Sequence, residues 1–488
     1  MRIASFAVLY RYTTQRIRKS QDSRPLPFPG RQGEDSVMKR AAYHNLGCKV
    51  NSYELDVMRQ ILEADGYETV PFEEEADLYI INTCSVTNIA DRKSRQMLHR
   101  AKKMNPDALV VAVGCYVETD PDRVEQDPAI DLAIGNNRKG EILDLIRARL
   151  EGREERTIYR DETLAARPEY EDMQLAAPGH TRAYIKIQDG CNQFCSYCII
   201  PFARGRIRSR RPGEILREAA ALAGRGIREI VLTGIHVSSY GLEWGVEGPV
   251  PFDPVKSGNA LLDLLRRLSG VPGICRIRLS SLEPRIMTED FVRGLAEIPE
   301  VCPHFHLSLQ SGCDATLRRM NRHYTTKEYK EIVERIRRHM AEPAMTTDVI
   351  CGFPGETEEE FLETRRFLED ISFYMIHVFR YSVRRGTVAE KLKGQVRERV
   401  KADRSAVLLD MTRDQARAYR ESFIGRREEL LIEETRTLNG RTWYTGHTAR
   451  YVEGAAEAAG GLSLRPGSLV RGRFAGFIPG TDVLRMET

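Results

Sequence analysis

The sequence lacks any apolar run long enough to cross a bilayer: its longest, ALVVAVGCYV over residues 108–117, falls far short of the roughly 18–20 residues a spanning helix needs. It lacks a secretory apolar segment near its start, and it lacks the dense cysteine spacing of a small disulfide scaffold. Its ten cysteines in 488 residues are therefore read as reduced thiols and metal ligands, in a cytoplasmic protein with no membrane partner. Bulk charge is lacking too. With 74 Lys+Arg against 70 Asp+Glu the net charge is +4, which excludes a polycation and confines any nucleic-acid contact to local basic patches. No internal repeat is present, and the length leaves room for two or three domains, each with its own core.

What is there begins with an unusual leader. Residues 1–37 carry Arg2, Arg11, Arg16, Arg18 and Lys19 before any acid, followed by the Pro/Gly-rich RPLPFPGRQG. Such a composition can mark an organelle transit peptide. The reading adopted is a disordered extension, because MKRAAYHNLGC from Met38 reads as a natural beginning.

From 38 to 155 strands and helices alternate. AAYHNLG, LYIIN, ALVVAVG and IDLAIG read as strands. Between and after them lie the amphipathic NSYELDVMRQILEADG, closed by Gly66, the basic DRKSRQMLHRAKK, and KGEILDLIRARL. The expected fold there is a doubly wound α/β domain. Residues 156–180 read as a charged, proline-containing linker. In 181–421 the strand candidates are AYIKIQ, EIVLTG, RIRLSS, HFHLSLQ, TTDVIC and IHVFRYS, which predicts a partial TIM-like (β/α)6 barrel. Within it, 242–260 reads as a loop insertion and about 396–421 as a long charged helix. The tail, 422–488, has short strands (ELLIEE, RTWYTGH, ARYVEG, SLVRGRF) between glycine turns and suits a small β-barrel.

Three cysteines stand just past three different strands: Cys48 after YHNLG, Cys84 after YIINT and Cys115 after VVAVG. The carboxyl ends of parallel strands share one edge, so these residues converge in space although scattered in sequence. Three thiolates on one edge can hold an iron–sulfur cluster with one iron left open. A zinc site recruiting His44 or His99, or plain burial of small apolar side chains, are the alternatives. A second set is compact: DGCNQFCSYC places Cys191, Cys195 and Cys198 as C-x3-C-x2-C directly after the first barrel strand. That spacing wraps a single [4Fe–4S] cluster, and no second cysteine or histidine pair completes a zinc knuckle. After it, IIPFARGRIRSRR sets Arg204, Arg206, Arg208, Arg210 and Arg211 within eight residues with no acid among them. Five uncompensated guanidiniums suit phosphates, or the carboxylate of a substrate or cofactor. LRRMNRHYTTK extends that basic surface, while Cys275, Cys302, Cys313 and Cys351 read as core or turn residues.

The C-x3-C-x2-C loop is the signature of radical S-adenosylmethionine enzymes, and together these motifs resemble the radical SAM methylthiotransferases from Met38 to the end. The resemblance implies an auxiliary 4Fe–4S cluster on Cys48, Cys84 and Cys115, a radical SAM cluster on Cys191, Cys195 and Cys198, and a C-terminal TRAM domain that binds RNA. It implies S-adenosylmethionine beside Tyr197, Thr233, Gly234, Ser281, Glu283, Gln310, Ser311, Ile350 and Gly352. LGCKVNSYE and IKIQDGCNQFCSYCIIPFARGRIRSR look most like the enzymes that methylthiolate threonylcarbamoyladenosine in tRNA, at the purine beside the anticodon. Methylthiolation of isopentenyladenosine or of a ribosomal-protein aspartate, plain methylation, and a zinc-stabilised RNA-binding protein without catalysis are the competing readings. The implied partners are the tRNA anticodon loop, a one-electron reductase such as flavodoxin or ferredoxin, and a sulfur donor. Two departures from the family pattern are Cys351, where an aliphatic residue is expected, and the leader.

Overall fold

The structure is a computed structural model that describes residues 39–152, 158–160, 169–176, 179, 181–458 and 463–488. The leader, read as disordered, lies outside the described residues, as do parts of the segment read as a linker. No helix among the described residues is long and apolar enough to cross a membrane.

Six parallel strands build the first sheet: β1 (Arg40–Asn45), β2 (Glu68–Val70), β3 (Leu78–Thr83), β4 (Leu109–Gly114), β5 (Leu132–Ile134) and β6 (Ile158–Tyr159), in the order β2-β1-β3-β4-β5-β6. LYIINT reads as unbroken apolar sequence because β3 is buried at every position, with helices over both faces. On one face Ile80 packs with Tyr53, Met58 and Leu62 of the helix Lys49–Ala64; on the other Tyr79 and Ile81 pack with Leu98 and Ala101 of the helix Asn88–Met104. The segment expected to be a linker departs from that reading. Ile158–Tyr159 pairs with β5, while Met173 and Leu175 enter the same core as Tyr53. Apolar residues spaced two apart among the charges were enough to anchor it.

The central region holds β7 (Arg182–Asp189), β8 (Arg208–Ser209), β9 (Glu229–Gly234), β10 (Arg276–Leu279), β11 (His304–His306), β12 (Ala344–Cys351) and β13 (Met375–Arg380). They order as β8-β7-β9-β10 and β11-β12-β13, and parallel bridges Ile277↔Val301 and Leu282↔Leu307 join the two groups into one curved wall. Among the described residues β13 does not pair with β7, so the six parallel strands form an open barrel. Ala183, Ile185 and Ile187 face the outer helices, whereas Tyr184, Lys186 and Gln188 face the other way and meet the helix Lys49–Ala64. The 242–260 loop is shorter than expected. A helix begins at Pro254, its first turn capped by the Asp253 carboxylate accepting from Val255 and Lys256 N–H at 3.0 Å. Gly258 lies inside that helix and packs against Phe291.

The last five strands close on themselves: β14 (Arg427–Leu438), β15 (Arg441–His447), β16 (Glu453–Glu457), β17 (Leu469–Phe477) and β18 (Leu484–Glu487), in the order β14-β15-β16-β18-β17. LRME escaped the sequence reading because four residues with two charges carry almost no pattern; pairing with β16 and β17 supplies it. This barrel docks under the amino ends of the central strands. Arg276 donates to the carbonyls of His447 (3.0 Å) and Glu429 (2.7 Å), Arg278 donates to Ala449 O at 3.0 Å, and the Tyr451 ring lies 4.9 Å from the Arg278 guanidinium.

Candidate cluster sites and the lumen between them

β1, β3 and β4 are adjacent and end level, with Asn45 opposite Asn82 and Thr83 opposite Gly114. Cys84 and Cys115 follow at once, and Cys48 caps the helix Lys49–Ala64. The Asn51 amide ties the loops together by donating to Leu46 O at 2.9 Å and Thr83 O at 3.0 Å. A Cβ added to Gly47 would stand 3.3 Å from the Cys84 sulfur, which measures how closely the two turns approach. Cys84 and Cys115 are buried and Cys48 is exposed, so the trio is open on one side.

Burial, with Cys115 and Cys48 beside it, pushes the Cys84 thiol up to about 12. Thiols gathered in such a setting ionise together only around a cation, and the Arg204 guanidinium already leans on Cys48, Cys84 and Cys115. A tetrahedral zinc site would need a fourth ligand beside the three sulfurs. His44 packs on Phe72 at 5.0 Å and His99 bonds Asp127 at 3.1 Å, so both candidate zinc ligands have partners elsewhere. The donor set fits a multi-iron cluster.

The second trio is held by a loop fastened at several points. Gly190 has φ +70°, and a Cβ there would lie 2.0 Å from Arg206 O, so only glycine lets the chain pass back over itself. Cys191 N–H then donates to Gly205 O at 3.0 Å. Ser196 N–H donates to Met320 O at 3.0 Å, its carbonyl accepts from Ala389 N–H at 2.8 Å, and its hydroxyl donates to Arg319 O at 2.8 Å. Arg322 stands with Nη1 3.3 Å from the Cys195 sulfur. Burial, then the neighbouring Cys195, pushes the Cys191 thiol up to about 12 and Cys198 higher still. This donor set also fits a cluster, and Arg322 would offset part of the negative charge of one bound there.

The other sequence candidates divide. Tyr197 packs edge-on against Phe353 at 6.3 Å and shares that apolar group with Ile350, placing both beside the cysteine loop. Glu283 pairs with Arg285 at 2.6 Å, and Arg285 donates on to Gln193 at 3.2 Å, inside the loop. Thr233 is buried, and a Cβ on Gly234 would lie 2.9 Å from Gln188 O, so β9 runs tight against β7 there. Gln310, at φ +74°, bridges Asp348 and Ile350 of β12 through its backbone, and Ser281 is exposed. Two candidates face away from the lumen. Ser311 bonds Thr364 at 3.2 Å in the outer helix layer, and the space at Gly352 is filled by Lys401.

The arginine run needs a larger correction. Arg204, Arg208 and Arg210 are 1%, 3% and 1% exposed and are paired. Arg204 meets Glu54 at 2.9 Å and Asp189 at 3.1 Å, Arg208 meets Asp189 at 3.3 Å, and Arg210 meets Glu218. Their acids lie on other elements, so a local window shows none. Only Arg206 and Arg211 remain on the surface, over Phe194 (4.7 Å) and Trp244 (5.4 Å).

Around Glu54 this becomes a buried network that the sequence reading missed: its carboxylate also takes Lys186 at 2.7 Å and Lys139. Burial alone would raise Glu54 and Asp189, but the surrounding cations outweigh it and hold both well below the usual carboxylate range. The DGC triplet and the inward alternation of Lys186 and Gln188 were its only sequence signals. Arg322, within the LRRMNRHYTTK stretch read as basic surface, is turned instead to the Cys195 sulfur, and a lumen group was missed: His306, Asp348 and His377, whose ligand atoms lie within 4.8 Å of one another.

Residues 185–368 match the model of the radical SAM superfamily, and residues 40–135 match the uncharacterized protein family UPF0004. A Bacillus subtilis protein, threonylcarbamoyladenosine tRNA methylthiotransferase MtaB, is 38% identical over 85% of this chain and 90% of its own. The tRNA-2-methylthio-N(6)-dimethylallyladenosine synthase of Moorella thermoacetica is 34% identical over 81% of this chain and 88% of its own. Among solved structures, the radical S-adenosylmethionine methyltransferase TsrM from Kitasatospora setae superposes with a TM-score of 0.51 over 70% of this chain and 72% of that one, at 17% identity, and speaks to the fold alone. With both cysteine trios set at strand ends and this likeness running through most of its length, the chain belongs to the radical SAM family of tRNA methylthiotransferases, enzymes that transfer a sulfur-containing group using S-adenosylmethionine and 4Fe–4S clusters.

Proposed function

We propose that this enzyme converts N6-threonylcarbamoyladenosine, beside the anticodon at position 37 of tRNA, to its 2-methylthio derivative. The carrying observation is that two threonylcarbamoyladenosine enzymes, those of Bacillus subtilis and Aquifex aeolicus, are 38% identical to this chain, against 34% and 35% for the dimethylallyladenosine synthases of Moorella thermoacetica and Alkaliphilus oremlandii. In this reading Cys48, Cys84 and Cys115 hold the auxiliary cluster and Cys191, Cys195 and Cys198 the other. Bound there, the clusters supply the electron that cleaves one S-adenosylmethionine and the sulfur that a second one methylates.

The chain's own residues do the positioning. Arg322 balances charge at Cys195, while Tyr197, Ile350 and Phe353 form an apolar wall beside the loop where an adenine ring can lie. The exposed pairs Arg206–Phe194 and Arg211–Trp244 offer a guanidinium and a ring together, a combination that suits unstacked bases and phosphates of a single-stranded loop. A cytoplasmic site, with a one-electron reductase and a sulfur donor as partners, completes the reading.

The test is nucleoside mass spectrometry of tRNA from cells that lack this modification and express either the intact chain or Cys84→Ala. Return of 2-methylthio-threonylcarbamoyladenosine with the intact chain alone supports both substrate and auxiliary ligand. Appearance instead of the dimethylallyl product moves the substrate to isopentenyladenosine.

A further inference from the structure

Three members of the arginine run, read as partners for a carboxylate, are consumed in the interior, and the other two stand on the outer surface. The lumen contains a better candidate. Along β12, Thr346, Asp348 and Ile350 share one face, and Ile350 places that face beside Tyr197 of the cluster loop. The register sets His306 of β11 opposite Thr346 and His377 of β13 opposite Asp348. His306 Nδ1 is bonded to Thr346 Oγ1 at 3.1 Å, which aims Nε2 at Asp348, 3.2 Å away.

Near this group stands Lys49, close enough for Asp348 and His377 to feel its charge. It follows the ligand candidate Cys48 directly, in the first turn of a 16-residue helix that has no acid in that turn. A lysine at the positive end of a helix is placed against the dipole and gains nothing locally. It is exposed, lies near enough to Asp348, Arg278 and Arg182 to feel their charges, and has no hydrogen-bonded or ion-paired partner among the described residues. The arginines are already taken, Arg278 by Glu229 at 2.9 Å and Arg182 by Glu229 at 3.0 Å and Glu433.

Two histidines and a carboxylate within 4.8 Å could accept a divalent ion. The charges argue against it. Arg182 and Arg278 are already paired but Lys49 is not, so a dication bound at Asp348 would stand beside an unpaired ammonium. An anion meets that ammonium and the helix N-terminus together.

We propose that Lys49, with the His306–Asp348–His377 group behind it, is the subsite that recognises a carboxylate-bearing substituent on the substrate base, and so the specificity determinant of the enzyme. This rests on the threonylcarbamoyladenosine reading, whose substituent ends in a carboxylate, and it would place that end between the two cysteine trios.

The experiment uses holoenzyme with both clusters loaded, as wild type, Lys49→Gln and Lys49→Arg. Each is assayed on tRNA carrying threonylcarbamoyladenosine and on tRNA carrying the neutral dimethylallyladenosine, with iron content as the control for assembly. For Lys49→Gln the expected result is a loss of about ten- to hundredfold in kcat/KM on the threonylcarbamoyl tRNA, mostly in KM, as removal of a charge-assisted contact predicts. Loss on the dimethylallyl tRNA should be much smaller, and Lys49→Arg should recover part of the threonylcarbamoyl activity. Equal losses on both tRNAs, or none on either with iron intact, overturn the proposal while leaving the substrate reading standing. Wild-type activity on the dimethylallyl tRNA alone overturns both.

Discussion

Glu54→Gln is the sharpest test of how the first domain is fastened to the central barrel. The Glu54 carboxylate is fully buried and receives Lys139 from its own domain and Lys186 and Arg204 from the barrel side. Lys186 and Arg204 keep a second acid, Asp189, at 2.6 and 3.1 Å, but among the described residues Lys139 keeps only Asn82 Oδ1 at 3.5 Å. The substitution therefore strands one ammonium with no exposure to water. Removing one partner of a buried pair costs about 3–5 kcal/mol. Over a urea slope of about 3–4 kcal/mol/M for a chain of this size, that is a midpoint lower by roughly 1 M. Urea unfolding of the cluster-loaded enzyme measures it. The double variant Glu54→Gln/Lys139→Met should regain much of the loss, because the stranded charge is gone, and that coupling separates charge from packing. A shift below about 0.3 M for the single variant, or strict additivity in the double, would refute the reasoning.

The same network gives a pH dependence. Glu54 and Asp189 have folded pKa values below their unfolded ones, so their contribution is complete above about pH 5 and drains away as pH falls through 4; thermal midpoints across pH 3–7 should fall steeply on the acid side only. Cys191→Ser should remove the iron of one cluster and Cys84→Ser that of the other, each leaving about half of the visible absorbance. Gly190→Ala forces a Cβ to within 2.0 Å of Arg206 O at a left-handed φ, and should abolish S-adenosylmethionine cleavage while the auxiliary iron is retained. Arg206→Ala and Arg211→Ala should weaken tRNA binding and flatten its salt dependence, whereas Arg210→Ala should show its damage in unfolding rather than in binding.

The α/β class was legible because its signals are local. Period-two and unbroken apolar runs mark β1, β3, β4, β7 and β12, and the compact C-x3-C-x2-C loop names its chemistry within eight residues. The convergence of Cys48, Cys84 and Cys115 could also be argued, since strand ends of a parallel sheet meet on one edge whatever the loops between them do. What escaped had non-local causes. Arg204, Arg208 and Arg210 looked uncompensated because Glu54 and Glu218 come from other elements and Asp189 from before the loop. Ser311 and Gly352 looked like pocket residues until the outer helices claimed them.

The sequence by itself determined which of the longer apolar segments are strands and where the two cysteine trios stand relative to them, because periodicity and ligand spacing are properties of neighbouring residues. Only the tertiary structure decided which charges are spent inside and which are left to act. Pairing depends on what lies opposite across a sheet, a helix or a domain boundary, and nearness in sequence does not name the partner: Glu218, eight residues from Arg210, pairs with it only once the helix is in place. That is why five arginines became two at the surface, and why Lys49, unremarked beside its cysteine, stands as a cation without an ion-paired partner among the described residues.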